Sequence, residues 1–449
     1  MQKGKYDLFI IGAGPGGYTA AILASKKGLK VGIAEAGKPG GTCTNLGCIP
    51  TKSYIESVKL FTGIGNASRF GIEVEIKPLN LENVYNRKER IISRLSKGIE
   101  FLLKTNQVEL IKGAAIITGH NEAIIGNEIY NFDNLIISTG SRPKPCVFDI
   151  PGIWTSNEAL SVKIIPQSLL IVGGGAIGME MAGIFSPLGT KVTVVEAMER
   201  ILPGEEPDAS RLLLKTMRNV HFMTSALVKG IEIGEGFKTS ILLDGAIEVI
   251  ETEKILWCTG REPVVPEGLE LLGVERHASG GIKVDKGMRT SVPGAFAIGD
   301  VTGDWMLAYI ASREAEVAVE NITGGNALMD YSYVPSIVFT NPEIASVGIL
   351  HHDASGLIKG TFPISALGRA RTAEANDGFA NVYSDERGRM VRVTIAAPHA
   401  TDLIAWASLA VGKGMTIKEF LEPVYTHPTF SELIKEAAED ALGLSVHKG

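Results

Sequence analysis

The sequence predicts an α/β protein built from two copies of one strand–glycine turn–helix–strand unit, followed by a C-terminal α+β domain. Two observations carry that prediction. The stretch YDLFIIGAGPGGYTAAILASKKGLKVGIAE has the same pattern as SLLIVGGGAIGMEMAGIFSPLGTKVTVVE further along the chain. From about Tyr331 the texture changes to a hairpin and then an amphipathic helix, with no third copy.

In the first copy an apolar strand, residues 8–11, ends at Gly12, and Gly12, Gly14 and Gly17 form G-x-G-x-x-G. Gly12 permits the tight turn, Gly14 lets the backbone approach a pyrophosphate, and Gly17 lets the helix sit close to the strand. The helix N-terminus supplies unpaired N–H groups for phosphate. A second strand ends in Glu35, placed to accept hydrogen bonds from ribose hydroxyls.

The second copy carries Gly173, Gly175 and Gly178, and its second strand is expected to end in Glu196. Gly12 to Glu35 spans 23 residues, and so does Gly173 to Glu196. One such motif carries little weight among 52 glycines. Two, each between strand and helix with an acid at the same offset, predict two Rossmann-like dinucleotide sites. With a flavin at one and a nicotinamide at the other, the protein moves hydrides or electrons between them. Glu196 would repel a 2′-phosphate and Glu199 adds negative charge, against Arg200 alone, so NAD is favoured over NADP.

The remaining punctuation is consistent with this plan. NLIISTGSRP (134–143) and KILWCTGREP (254–263) are each a strand running into T-G-x-x-P. GAFAIGD (294–300) is a further strand ending at Asp300, which by itself reads as a turn-forming residue. GFANVYSDERGRMVRVTIAAP predicts a hairpin of two alternating strands around residues 385–388. ATDLIAWASLAVGKG predicts an amphipathic helix ended by Gly412 or Gly414.

Composition narrows the function classes. A net charge of −6 without a basic block argues against nucleic acid or an anionic membrane as partner. No apolar run is long enough to span a bilayer. MQKGKYDLFIIGAGPGG runs straight into the glycine cluster, leaving too short an apolar stretch for a signal peptide. Four cysteines in 449 residues are not a disulfide scaffold, so the expected location is cytoplasmic.

Two of those cysteines, Cys43 and Cys48, sit in GGTCTNLGCIPTK, just after Glu35. In a reducing compartment a close pair is more often catalytic or metal-binding than a structural bridge. Zinc needs two more ligands, but Cys146 and Cys258 are single and His351-His352 are adjacent in a loop. No metal is expected. Inert thiols and a redox pair remain, and the openness given by Gly40, Gly41 and Gly47 favours the pair. A dithiol beside a flavin can pass electrons to its ring. Lys52 follows Cys48 by four residues; on a helix both face one side, where an ammonium favours a thiolate. The plainer reading of Lys52 is a solvated surface residue.

GGTCTNLGCIPTK, the two glycine motifs, AIGD and the late HPTFSE resemble the pyridine nucleotide–disulfide oxidoreductases, in particular the branch that oxidises dihydrolipoamide. The resemblance runs nearly end to end. It implies an FAD domain (1–145), an inserted NAD domain (146–262), a further FAD-side segment (263–330) and a dimerisation domain (331–449). Cys43 would be the interchange thiol and Cys48 the charge-transfer thiol, with Lys52 by the flavin paired to Glu180. Asp300, Ala308, Ala115 and the Thr139–Gly140 turn would hold FAD; Gly173, Gly175, Gly178, Glu196, Val228 and Gly260 would line the NAD site. The implied partners are a second copy of the chain and a lipoyl domain or lipoyl carrier protein of a 2-oxo acid dehydrogenase or glycine cleavage complex.

Disulfide exchange needs a proton acceptor, commonly His near neutral pH. Among eight histidines, His427 in YTHPTFSELIKEAAEDAL stands before a helix start with Glu432 five residues on. The resemblance makes them base and orienting carboxylate, serving the partner's cysteines. Taken alone, Thr429-x-x-Glu432 is a capping box and His427 a turn residue beside proline. Two features depart from the family: Tyr425 stands where another His is usual, and HHDASGLIKG (351–360) looks trimmed. Rivals are another NAD(P)H-dependent disulfide reductase and a non-catalytic flavoprotein subunit. A glutathione-type enzyme should carry basic residues at Glu196 and Glu199, and a mercuric reductase a second cysteine pair at the C-terminus; ALGLSVHKG has none.

Overall fold

The computed structural model describes residues 2–348 and 356–448. The first glycine unit seeds a seven-stranded sheet. Its parallel strands run in the order Glu109–Lys112, Val31–Glu35, Gln2–Ile11, Glu128–Ile137, and the antiparallel strands Glu122–Ile125 and Ala115–Gly119 complete that side. The seventh strand, Ala295–Ala297, also pairs in parallel with Glu128–Ile137, so the chain leaves this sheet and returns to it about 160 residues later. Successive side chains of Gln2–Ile11 feed two cores, because both faces are covered. Leu8 and Ile10 pack on Ala20, Ala24 and Ile310 of the helices Pro15–Lys26 and Ala308–Ile322, while Phe9 and Ile11 face Tyr130, Ile117 and Leu269.

The excursion contains the second unit. Val220–Met223, Lys191–Val195, Ser168–Val172 and Lys254–Trp257 form a parallel sheet in that order, flanked by the antiparallel strands Leu227–Ile233, Phe237–Leu243 and Ala246–Thr252. Lys191–Val195 stops one residue short of Glu196, which begins the following turn. The two T-G-x-x-P segments meet as a small antiparallel pair, Ser141–Pro143 against Arg261–Pro263, so the crossing points into and out of the second unit lie side by side.

The C-terminal region is a five-stranded antiparallel sheet in the order Ser336–Val338, Glu343–Gly348, Met390–Ala397, Phe379–Ser384, Ile358–Pro363. The predicted hairpin is present, its turn held by the Asp385 carboxylate, which accepts the Arg387 and Arg389 N–H groups at 3.0 and 2.8 Å. Its strands do not alternate as expected. Residues 392–397 are all buried because the sheet is covered on both faces. Val393 and Ile395 pack under the helices Ala400–Lys413 and Glu432–Ala441, while Ala396 meets Met179, Ala209 and Leu213 of the second unit. The helix Ala400–Lys413 ends at Gly414, which takes the left-handed φ of 63°; Gly412 lies inside it.

A buried polar cluster fastens this sheet to the second unit. Glu206, 2% exposed, accepts from Thr394 Oγ1 at 2.5 Å, Asn381 Nδ2 at 2.7 Å, Tyr383 Oη at 3.1 Å and Arg392 Nε at 3.3 Å. Beside it Glu205 accepts from Ser346 Oγ at 2.7 Å. Removing one member of such a pair strands a buried charge, at a cost of about 3–5 kcal/mol. Glu206→Ala is expected to lose about that much in chemical denaturation; a loss below ~1 kcal/mol would show the cluster to be replaceable.

Candidate active site

In each glycine turn the third glycine is crowded and the second is open. A Cβ on Gly17 would lie 1.8 Å from the Gly12 carbonyl oxygen, and one on Gly178 would lie 2.0 Å from that of Gly173. These glycines are demanded by helix–strand contact. Gly14 meets only Gly41 Cα, at 4.0 Å, and Gly175 meets nothing within 4 Å. Nothing in the chain itself requires glycine there. Both open onto one cavity of about 1840 Å³, against a usual range of ~300–1,000 Å³ for a single ligand. The open glycines are the N-caps of the helices Pro15–Lys26 and Ala176–Phe185, and a helix N-terminus offers unpaired N–H groups to a phosphate. Two dinucleotides suit the site.

The acids at the strand ends are set alike. Glu35 accepts Ala13 N–H and Gly37 N–H, each at 2.7 Å; Glu196 accepts Gly174 N–H at 2.7 Å and Met198 N–H at 2.8 Å. Backbone amides thus aim each carboxylate, and each oxygen retains a lone pair for a hydroxyl. Arg200 is turned aside, its Nη2 donating to Pro203 O at 2.7 Å and its Nη1 to Glu205 O at 3.3 Å. A second correspondence was not foreseen. Ser138 Oγ donates to Gly12 O at 2.7 Å, and Cys258 Sγ occupies the same place under Gly173 O at 3.4 Å. The signal was present in STG against CTG. Burial pushes the Cys258 thiol up to about 12, so it is a packing group. Cys146 packs beside Trp257, and burial raises its thiol as well.

Cys43 lies on the short helix Gly41–Asn45 and Cys48 opens the helix Cys48–Gly65; both line the cavity as free thiols. Asn45 Nδ2 ties the segment down by donating to Lys38 O, Pro39 O and Gly41 O at 3.2, 3.2 and 2.9 Å. Lys52 is one turn beyond Cys48. Its Nζ donates to both Glu180 oxygens at 2.9 Å and sits 4.4 Å from the Phe339 ring centroid, while Phe339 N–H donates to Glu180 Oε1 at 3.0 Å. The Cys43 thiol donates to the Cys48 sulfur, and this bond, helped by the Lys52 ammonium against burial, brings Cys48 down to about 7. The same bond, with burial, pushes Cys43 up. As pH rises past about 7 the pair therefore comes to hold one proton, on Cys43, and one thiolate, on Cys48.

Asp300 lies on the short turn Gly299–Thr302 and accepts from Ser141 Oγ; burial raises its carboxyl, and Arg261 at 4.0 Å opposes that. Arg261, which sequence reasoning did not single out, donates from Nε to Ser141 Oγ at 2.7 Å and from Nη2 to Ser141 O at 2.8 Å. It was visible only as part of the repeated T-G-x-x-P. Tyr309 and Phe339 were also missed, since nothing in their local sequence marks them as cavity-lining. Ala115, Thr139, Gly140, Val228, Gly260 and Ala308 all line the same cavity. Among the described residues no three metal-ligating side chains converge.

His427 and Glu432 stand apart from this cavity. The His427 Nδ1 lies 2.8 Å from Glu432 Oε1, and Thr429 N–H donates to Glu432 Oε2 at 2.8 Å. One carboxylate thus takes both the imidazole and a backbone amide before the helix. Burial would raise its pKa, but the hydrogen bonds from His427 and Thr429 hold it below the usual range. The His427 side chain is 75% exposed. Within one chain it does not meet the cysteines. Tyr425, in place of the family's usual His, is a packing residue: its hydroxyl donates to Phe420 O at 2.6 Å and its ring contacts Phe420 and Trp406. Of the trimmed stretch, residues 351–355, with both adjacent histidines, lie outside the described residues; the edge strand Ile358–Pro363 follows.

Two outcomes follow from this geometry. Gly14→Ala should keep the unfolding midpoint of the cofactor-free protein and lose bound flavin, whereas Gly17→Ala should lower the midpoint itself. Titration of thiolate absorbance in the reduced protein should show a midpoint near pH 7 that disappears in Cys48→Ser and persists in Cys258→Ser.

Comparison with known proteins agrees with the geometry. Residues 6–315 match the pyridine nucleotide-disulphide oxidoreductase family and residues 334–438 its dimerisation domain. Dihydrolipoyl dehydrogenase from Geobacillus stearothermophilus is 38% identical over 460 residues, covering 98% of this chain and 97% of the relative. Dihydrolipoyl dehydrogenase from Bacillus subtilis is 36% identical with the same coverage. Among solved structures, LpdA from Mycobacterium tuberculosis superimposes with a TM-score of 0.90 at 26% identity, covering 97% of this chain and 99% of that one. The HOCl-induced flavoprotein disulfide reductase RclA from Escherichia coli, as its Cu(II) complex, gives 0.87 at 26% with the same coverage. The chain belongs to the pyridine nucleotide-disulphide oxidoreductase family.

Proposed function

We propose that this chain is an FAD-dependent, NAD-linked dehydrogenase of protein-bound dihydrolipoamide, acting through the Cys43–Cys48 pair. The observation that carries this reading is a pair of free cysteines lining the one cavity onto which both dinucleotide cradles open, with the Lys52–Glu180 ion pair one helical turn from Cys48. Residues 1–145 with 263–330 would form the FAD half, 146–262 the NAD unit and 331–449 the dimerisation domain. FAD would be held by the Gly12–Gly14–Gly17 turn, Glu35, Ala115, Thr139, Gly140, Asp300 and Ala308, and NAD by the Gly173–Gly175–Gly178 turn, Glu196, Val228 and Gly260. Bound FAD supplies the acceptor for the dithiol's electron pair, and bound NAD the final hydride acceptor.

The residues of the chain perform the thiol chemistry. His427 of a second copy takes a proton from one substrate thiol, and Glu432 holds the imidazole by its other nitrogen. That thiolate attacks Cys43 of the oxidised pair; the Cys43–Cys48 bond breaks and Cys48 leaves as a thiolate, stabilised by Lys52. The second substrate thiol then attacks the first sulfur; the mixed disulfide breaks, cyclic lipoamide departs, Cys43 takes the second thiol's proton, and His427 releases the first to solvent. Because His427 lies away from its own cysteines, the working unit is a homodimer. The location we propose is cytoplasmic; no helix among the described residues is long and apolar enough to cross a membrane.

Cys48→Ser and His427→Gln should each remove NADH-driven lipoamide reduction, His427→Gln by about 10²–10⁴-fold. Both should keep NADH–ferricyanide turnover, which needs no thiol exchange. NADH should be used in preference to NADPH, and Glu196→Ser should narrow that preference; equal use by the parent protein would contradict the assignment of Glu196.

A further inference from the structure

The loop that carries His427 is fastened at both of its ends by aromatic rings. Before it, Tyr425 packs on Phe420 and Trp406 at ring separations of 5.8 and 6.1 Å. After it, Phe430 is buried between two cationic or ionisable side chains from separate elements. The His399 ring lies 5.6 Å from the Phe430 centroid at 49°, and the Arg369 guanidinium lies 5.1 Å from it. Arg369 comes from the short helix Gly368–Thr372, and His399 precedes the helix Ala400–Lys413. His399 takes the left-handed φ of 63°, a region in which His, with Asn and Asp, is enriched among non-glycine residues. There its imidazole meets the Phe430 ring.

We propose that Arg369 and His399, gripping Phe430, are positioning residues that aim the His427–Glu432 pair in the thiol exchange. This rests on the role of His427 given under Proposed function. The mechanical link is short. Phe430 is two residues from Glu432 and one from Thr429, whose N–H bonds the same carboxylate that holds His427. Thr429 Oγ1 in turn donates to Thr426 O at 3.0 Å, closing the loop on itself. His427 is mostly exposed and, among the described residues, only the Glu432 side chain bonds its ring, so its direction depends on the loop beneath it. A general base displaced by about 1 Å can lose up to about 10²-fold in rate, so a loop without its anchor is felt in catalysis before it is felt in stability.

The test uses FAD-loaded dimer carrying Arg369→Gln, Arg369→Lys or His399→Gly. The glycine variant relieves the backbone while removing the ring, so folding is not the obstacle. Arg369→Gln and His399→Gly are each expected to lower kcat for dihydrolipoamide oxidation by about tenfold with little change in KM. NADH–ferricyanide turnover should stay at the parent level, and Arg369→Lys, which keeps a cation over the ring, should recover most of kcat. Undiminished kcat in both variants, or an equal fall in both activities together with the melting temperature, would overturn the proposal. Hydrogen exchange separates this claim from the reading beneath it. If the parent protein fails to oxidise dihydrolipoamide, that reading falls, and the clamp is judged on the Thr429 amide alone. Faster exchange there in Arg369→Gln and His399→Gly supports the clamp; unchanged exchange rejects it.

Discussion

The Lys52–Glu180 ion pair joins three parts of the chain at the point where the chemistry is placed. Lys52 comes from the helix that begins with Cys48, Glu180 from the helix of the second glycine unit, and the Phe339 N–H that completes the carboxylate comes from the C-terminal region. Glu180 is 7% exposed, so its charge is tolerable only because an ammonium and an amide answer it. The ammonium has a second use. One helical turn from Cys48, it favours a thiolate where the Cys43 proton has already begun to create one. Structural closure and thiol activation are therefore one arrangement of charges.

Duplication accounts for much of the remaining geometry. Each unit spends one glycine on contact between helix and strand, leaves one open toward the cavity, and aims an acid with two backbone amides. Even the residue beneath the turn corresponds, as Ser138 in one copy and Cys258 in the other. The copies differ in what surrounds them. The first sheet is completed by a returning strand at Ala295–Ala297 and by Asp300 just beyond it, while the second is bolted to the C-terminal sheet through Glu205 and Glu206. Both cradles open onto one cavity, which the two cysteines also line.

Features encoded by neighbours in the chain were readable in the sequence. The glycine motifs, the acids 23 residues on, the helix that puts Lys52 beside Cys48, and the hairpin around Asp385 all depend on local spacing, and all appear in the structure. Features made by distant segments were not. Arg261 acquires meaning only when the two T-G-x-x-P segments pair, and Phe339 only when the C-terminal region folds back over Glu180. The expected alternation in Met390–Ala397 failed for the same reason, because covering by the second unit cannot be seen from within a strand. Tyr425, read as a departure from the family, is explained by the Phe420 carbonyl and the Trp406 ring it meets.

The most direct test is anaerobic turnover of the FAD-loaded protein with dihydrolipoamide, offered NAD or NADP in parallel and followed by nicotinamide absorbance. Rapid reduction of NAD, and little of NADP, is the result expected from the Cys43–Cys48 pair, Lys52 and Glu196 acting together. Absence of turnover in protein that holds FAD and is still reduced by NADH would keep both cradles and contradict dihydrolipoamide as the substrate.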